Sequence, residues 1–187
     1  MASKSSDVKT GMAGSGPMTH FRSFWLGAVL ALGIAGVAQA QEPQTIGRNN
    51  DWIAYTYKSG GKTVCYMAST PLKAEGNYSK RGHIYALVTH HPDAESRGEF
   101  SIVTGYTYKT DSEVDVEIGS RTYKLFTDKD RAWAPDGKTD GSIVSAMIKG
   151  SKMVVKGVSS RGTKTMDTYS LRGFTATKKL IDKTCKK

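Results

Sequence analysis

The side chains that could support catalysis beyond residue 40 centre on three histidines, His83, His90 and His91. The segment His90-His91-Pro92-Asp93 offers imidazole and carboxylate, which transition metals accept as ligands. Neighbouring side chains of a strand point to opposite faces, however, so this segment indicates a turn with exposed histidines more than a shared metal site. A hydrolase in which one of the histidines works with a carboxylate remains the alternative.

No local motif assigns a reaction to the chain. The sequence lacks a Gly-x-Ser-x-Gly elbow, a His-Glu-x-x-His pair, a phosphate-binding glycine loop and a dinucleotide-binding fingerprint. Each of these motifs places a nucleophile, a metal ligand or a phosphate at a fixed spacing. We therefore expect a protein that is not an enzyme, with no catalytic residues, no cofactor and no bound metal.

The main candidate for binding is a turn near the C-terminus, Ser160–Thr163, between two predicted strands. Gly162 permits the positive φ angle that such a turn can require. Arg161 can present a planar guanidinium to a carboxylate or phosphate. Alternatively, Arg161 stays within the protein's own polar network and braces the hairpin against the C-terminal helix. The candidate binding residues are Arg161, Thr163, Lys164 and Asp167.

Charged side chains form two further groups. Glu113, Asp115 and Glu117 alternate along one strand, where they could meet cations or a basic partner. A solvated strand face whose charges discourage edge pairing is the favoured interpretation. The basic group could be a docking surface for an anionic partner or simply the solvated side of its elements. It comprises Lys149, Lys152, Lys156, Arg161, Lys164, Lys178, Lys179, Lys183, Lys186 and Lys187.

Short β-branched and aromatic runs, separated by turn-forming residues, dominate residues 52–125 and are typical of antiparallel strands. In Glu113–Ile118 apolar residues alternate with acidic ones, as in a half-buried strand, and Gly119-Ser120 predicts a two-residue hairpin turn. Residues 152–159 and 164–172 predict two more strands. Many short strands with late helices favour a mainly β fold, an antiparallel β-sandwich.

Two segments carry helical spacing instead. We expect one short helix at about 139–149, capped by Thr139 or Asp140 and followed by Gly150 in a left-handed conformation. We expect the second at about 174–184. Its apolar face would consist of Phe174, Thr177, Leu180 and Ile181.

The N-terminal region predicts a cleavable export signal. Residues 24–37 form an uncharged apolar run after Arg22, and Ala38-Gln39-Ala40 supplies the small-x-small pattern of a cleavage site. An uncleaved membrane anchor, the alternative, would need about 20 apolar residues. We expect cleavage near Ala40, whichever of the possible starts is used (Met1, Met12 or Met18). The leader, residues 1–40, would then release one domain, residues 41–187, with no transmembrane span.

Export sets the expected location and partners. The leader holds three basic residues and one acidic residue, so its removal lowers the net charge from +10 to +8. We expect a periplasmic protein, with outer-membrane association or secretion as alternatives. Its positive charge favours anionic envelope components or an acidic protein partner, and export argues against nucleic acid. A hydrolase, if that alternative holds, would act in the envelope.

The two cysteines, Cys65 and Cys185, lie in the expected mature domain. After export, an isolated pair predicts one disulfide. A metal site and a redox pair are weaker alternatives, because zinc usually takes four closely spaced ligands and the sequence has no Cys-x-x-Cys motif.

Several segments form a recognisable set: AMIKG at 146–150, SRGT at 160–163, DTYSL at 167–171, Gly173-Phe174 and the closing Cys185. With Trp52 and Cys65 near the start of the domain, they resemble the invasion-associated locus B (IalB) family of alphaproteobacterial exported proteins. The resemblance implies an immunoglobulin-like β-sandwich and a possible role in host-cell interaction. It brings no reaction, cofactor or ligand, so we expect a binding or interaction domain.

Overall fold

The computed structural model describes residues 42–93 and 97–185. The expected signal peptide, its cleavage site at Ala40 and the possible start residues lie outside these ranges. Neither helix within them has the length and hydropathy of a membrane-spanning segment. The strands are β1 (Gln44–Asn49), β2 (Trp52–Ser59), β3 (Lys62–Ser69), β4 (Lys73–Gly76), β5 (Tyr85–His90), β6 (Glu99–Val103), β7 (Glu113–Ile118), β8 (Arg121–Asp128), β9 (Arg131–Trp133), β10 (Lys152–Val158) and β11 (Lys164–Ser170), and the helices are α1 (Gly137–Lys149) and α2 (Phe174–Thr184).

The eleven strands of the described residues form one antiparallel sheet in the order β1-β2-β3-β5-β6-β9-β8-β7-β10-β11-β4. Most neighbours are hairpin partners, including β7 and β8 across the expected Gly119-Ser120 turn. Strand β9 has only three residues and joins β6 and β8 through three residue pairs each, so this short strand links two parts of the sheet. The mainly β, antiparallel prediction is confirmed, with both parts belonging to one continuous sheet.

The two parts of the sheet share one hydrophobic core. Trp52 and Phe100 come from the first part and Val116 and Tyr169 from the second, and all four belong to the same buried cluster. The Trp52 indole donates a hydrogen bond from Nε1 to the carbonyl of Ser170 (3.0 Å), which links β2 to β11. The core therefore closes around contacts that are distant in sequence.

Helix α1 is confirmed and ends at Lys149 as predicted, but it begins two residues earlier, at Gly137, and its predicted caps are wrong. Asp136, not Thr139 or Asp140, is the N-cap, and its carboxylate accepts the Thr139 amide at 2.7 Å. Asp140 is buried and accepts the amide of Phe100 (2.8 Å), which attaches α1 to β6. Gly150 has φ −85°, so left-handed geometry does not explain it. A Cβ there would lie 2.9 Å from Ile118 and Leu171 side-chain atoms, so close packing favours the glycine.

Helix α2 has the predicted bounds and packs its predicted face inward. Phe174, Thr177 and Ile181 are buried, and the Phe174 ring meets the Trp52 ring edge-on at 5.0 Å. As predicted, Cys185 at the end of the helix forms a disulfide with Cys65 on β3, across 120 residues of sequence. The cross-link fastens the C-terminal helix to the first part of the sheet.

We expect the variant Cys185→Ser to lose about 4–5 kcal/mol of unfolding free energy, because a cross-link closing a loop this long restricts the unfolded chain strongly. Guanidinium titration followed by tryptophan fluorescence measures the loss. The double variant Cys65→Ala/Cys185→Ser should lose a similar amount, since both lack the same cross-link. An unchanged midpoint in Cys185→Ser would contradict the prediction.

Candidate functional site

The structure separates the four residues predicted to form a binding site. The turn after β10 is closed by Ser159, whose amide donates to the Thr163 carbonyl (2.9 Å) and whose hydroxyl accepts the Thr163 amide (3.1 Å). Gly162 has the expected positive φ, 84°. Arg161 is exposed and forms no hydrogen bond or ion pair with a described residue, so nothing shows it bracing the hairpin against α2. Lys164 is exposed on β11.

Asp167 is buried in an ion pair with Arg81, which the sequence did not indicate. Nη1 and Nη2 of Arg81 donate to the two carboxylate oxygens at 2.6 Å each, and the side chains are 4% and 2% exposed. Arg81 also donates to the Thr104 carbonyl (2.7 Å) and hydroxyl (3.0 Å). Such bidentate pairing holds the two side chains in one relative orientation and also strengthens the interaction between them. One guanidinium therefore joins the β4–β5 connection, the end of β6 and β11.

Tyrosines enclose this ion pair. The guanidinium carbon of Arg81 lies 5.5 Å from the Tyr78 ring centroid and 5.0 Å from that of Tyr106, within the range of cation–π attraction. Burial raises the pKa of Tyr169 well above its ordinary value, and the nearby Asp167 adds to the effect. The Tyr169 hydroxyl therefore stays uncharged. Asp167 is enclosed and is not a surface ligand in this conformation.

A cleft of about 430 Å³ opens beside the ion pair, and we call it the hairpin cleft. Lys80 and Arg161 supply its exposed cations, and neither has a carboxylate partner among the described residues. The charge of Arg81 is already matched by its buried partner. No acidic side chain belongs to the lining. The other lining residues are Gly82, Gly105, Tyr106, Thr107, Ser159 and Ser160.

A second depression, of about 800 Å³, lies on the outward face of β2, β3, β5 and β6, and we call it the tyrosine groove. Tyr55 and Tyr66 are cross-strand neighbours whose rings stack with centroids 4.9 Å apart. Burial raises the pKa of Tyr66, and Tyr55 and Tyr57 raise it further. The groove is also lined by Tyr85 and Leu87, with Pro43, His91, Glu99 and Arg131 among its other residues.

The expected turn of exposed histidines is wrong for His90, which ends β5, contacts helix α2 and is the only buried histidine of the described residues. Its Nε2 lies 2.7 Å from Asp182, and Lys178 donates to the same carboxylate at 2.8 Å. Burial lowers the pKa of His90, and the Asp182 hydrogen bond opposes this only in part. Burial acts to raise the pKa of Asp182, but hydrogen bonds from Lys178 and His90 outweigh it and lower the pKa. A neutral imidazole thus donates to an ionised carboxylate.

The other histidines lie elsewhere. His91 faces outward, opposite to His90, and lies 3.4 Å from Glu99, while the His83 ring is 6.0 Å from that of Tyr85. No serine or threonine hydroxyl is bonded to a histidine in the described ranges, and no group of metal-ligating side chains there could hold an ion. The described residues therefore offer the hydrolase alternative a His–Asp pair, but no serine or threonine nucleophile is hydrogen-bonded to it.

Comparison with known proteins addresses the family. The model for "Invasion associated locus B (IalB) protein" matches residues 52–182, from the start of β2 into α2. The chain belongs to the invasion-associated locus B family. The fold of this IalB-family protein is similar to the crystal structure of invasion-associated protein B from Bartonella henselae, with a TM-score of 0.51 over 75% of this chain and 97% of that one. At 14% identity, this likeness shows the fold alone. No curated protein matches the chain.

Two features of this IalB-family protein escaped the sequence reasoning. Arg81 carries no local mark, because its partner Asp167 lies 86 residues away. Lys80 carries none either, because it shares its cleft with Arg161 of a distant hairpin. The tyrosine groove did leave a signal. In β2, Tyr55 and Tyr57 alternate with the buried Trp52 and Ala54, so large side chains occupy both faces of the strand, and a face expected to be polar is aromatic.

We expect Asp167→Asn to lose about 3–5 kcal/mol of unfolding free energy, because it leaves a buried guanidinium without its counter-charge. Urea titration measures the loss. The exposed pair between Lys156 and Glu117 (2.6 Å) is the matched comparison, and Glu117→Gln should lose less than about 1 kcal/mol. Equal small losses in both variants would show that the buried pair has no special role.

We expect the unfolding free energy to fall as the pH drops from about 7 to 5. The folded pKa of His90 is lower than the unfolded value of about 6.5, so the unfolded chain binds the proton first and the stability contributed by neutral His90 is lost below that pH. Because the folded pKa of Asp182 is lowered, the stability that it contributes is present above about pH 4 and is lost only below that pH. Urea titrations across this range should show a flatter dependence of the unfolding free energy on pH in His90→Gln than in the unsubstituted protein, and an unchanged slope would contradict the prediction.

Proposed function

We propose that this protein is an exported, non-enzymatic binding protein of the cell envelope, whose hairpin cleft holds an anionic group of an envelope component. The observation that carries the proposal is the convergence of Lys80 and Arg161, from distant parts of the chain, on one cleft without an acidic side chain. Their charges are exposed and unpaired within the described residues, so a bound anion would supply their missing counter-charge.

The lining suits phosphate or carboxylate oxygens. A guanidinium can bind such a group through two parallel hydrogen bonds, and a lysine adds a point charge. Thr107 and Ser160 bring neutral hydroxyl groups to the same cleft. Arg81 is committed to Asp167 and Thr104, so it stiffens the wall of the cleft while the exposed cations bind.

Export supports the choice of ligand. The leader directs the protein to an oxidising compartment in which a disulfide persists, and we place the mature chain in the periplasm, with outer-membrane association or release as variants of the proposal. Anionic lipid head groups and lipopolysaccharide are present there, and the positive mature domain is attracted to them. A role in host-cell contact, suggested by the family's name, would require that the cleft reach the cell exterior.

We expect the exported form, purified after expression of the full chain, to bind purified lipopolysaccharide or vesicles containing phosphatidylglycerol saturably, and to bind less tightly as salt increases. The variant Lys80→Gln/Arg161→Gln should weaken binding about tenfold or more, since hydrogen bonds to charged groups contribute about 1.5–3 kcal/mol each. Titration by microscale thermophoresis measures both effects.

The matched control is Arg121→Gln/Lys138→Gln, which removes the same two residue types from exposed positions outside the cleft. It should change affinity only slightly. An equal loss in both double variants would mean that net charge, not the cleft, drives binding. If the protein bound neither lipopolysaccharide nor the vesicles saturably, the proposal would be refuted.

A further inference from the structure

The outward face of β2, β3 and β5 carries large aromatic side chains where water would be expected. An antiparallel sheet with one solvated face normally places polar residues on that face, and β7 follows this rule with Glu113, Asp115 and Glu117. In the tyrosine groove, four tyrosines and Leu87 occupy the equivalent positions and are half-buried. The face is therefore suited to contact with another molecule.

The composition of the tyrosine groove matches the centre of a protein–protein interface. Tyrosine and arginine are enriched at such centres, and lysine is depleted. No lysine lines the groove, although the chain contains 27 lysines and arginines. Its one strong cation is Arg131, which forms no ion pair with a described residue, although Asp128 is its cross-strand neighbour on β8. His91 lies beside Glu99. The groove thus fits a largely uncharged polypeptide with an acidic residue at one position.

The backbone around the groove excludes one mode of peptide binding. Strands β2, β3, β5 and β6 each have a neighbour on both sides, so none of these four offers a free edge for an added strand. A peptide lying across them would be recognised through contacts with side chains. A polyproline II segment is extended without a hydrogen-bonded ladder and docks into grooves lined by aromatic residues.

The chain itself shows that proline fits this surface. Pro43 precedes β1 and lines the groove. Because Gln44 pairs with Thr56 in the antiparallel ladder, Pro43 occupies the position opposite Tyr57. A pyrrolidine ring therefore already occupies one end of the aromatic surface.

We infer that the tyrosine groove binds a proline-rich segment of a partner protein in the polyproline II conformation, with an acidic residue of that segment at Arg131. From β2 to β9 the sheet crosses four interstrand spacings, about 19 Å. At about 3.1 Å per residue, the groove accepts a segment of about six residues. This site is separate from the hairpin cleft and does not depend on the function proposed for it.

The test uses the exported form purified after expression of the full chain. Fluorescence anisotropy measures the binding of three labelled peptides of about eight residues: polyproline with glutamate at both ends, polyproline with glutamine at both ends, and a Gly-Ser peptide with glutamate at both ends. We expect saturable binding of both proline peptides, with the glutamate form about two- to fivefold tighter. The Gly-Ser peptide should not bind.

Matched variants localise the binding. Tyr66→Thr removes the central ring and keeps a strand-forming residue, and it should weaken both proline peptides about tenfold. Phe126→Thr removes a half-exposed aromatic ring outside the groove and should have no effect. Arg131→Gln should abolish the preference for glutamate, whereas Arg121→Gln should preserve it.

Several outcomes would overturn the inference. The first is that the proline peptides do not bind saturably up to about 1 mM. The second is that Tyr66→Thr and Phe126→Thr lose the same affinity for the proline peptides. The third is that the proline peptides do not bind while maltohexaose does, in a manner that depends on Tyr66. If the protein does not bind the proline peptides but self-associates, and Tyr66→Thr abolishes the self-association, the occupant of the groove is a second copy of the chain. Circular dichroism checks the fold, and Tyr85→Thr replaces Tyr66→Thr if that variant unfolds.

Discussion

The arrangement of the sheet depends on a buried ion pair that is unfavourable unless it is complete. Removing Arg81 and Asp167 from water costs several kcal/mol for each ion. The two 2.6 Å hydrogen bonds between them and the two further bonds to Thr104 offset that cost. The partners come from three segments distant in sequence, so the pair forms only when these segments have met. It therefore selects one arrangement of the chain more than it adds net stability.

The same constraint places the exposed cations of the hairpin cleft. Lys80 directly precedes Arg81, so anchoring Arg81 fixes the backbone that carries Lys80. Arg161 lies at the turn of the hairpin whose second strand carries Asp167, so that turn is fixed as well. Because Arg81 and Asp167 neutralise each other internally, the unpaired positive charge of the cleft comes from Lys80 and Arg161. A buried contact thus sets the spacing of two surface charges.

Local sequence patterns were sufficient for elements whose cause is local, and insufficient where the cause is a distant contact. The period of apolar residues predicts α2, the Gly119-Ser120 pair predicts the hairpin between β7 and β8, and the expected export predicts the disulfide. Asp140, by contrast, has the residue type and position of a helix cap, yet the amide of Phe100, 40 residues away, binds it. Asp167 resembles a solvated strand residue until Arg81 is known to be its partner. No periodicity encodes such pairings.

The tyrosine groove is poorly explained by the stability of the isolated domain. A cross-strand aromatic pair such as Tyr55 and Tyr66 contributes about 0.2–1 kcal/mol, which is small beside the association risk of a continuous apolar patch. Strand β7 shows that this chain can place charges on an outward face. The stacked pair of Phe126 and Trp133 extends the same outward face, because Trp133 pairs with Ser101 of the groove lining. Tyr55, Tyr57 and Tyr66 cluster on two neighbouring strands, and contact with a partner accounts for this aromatic face where folding does not.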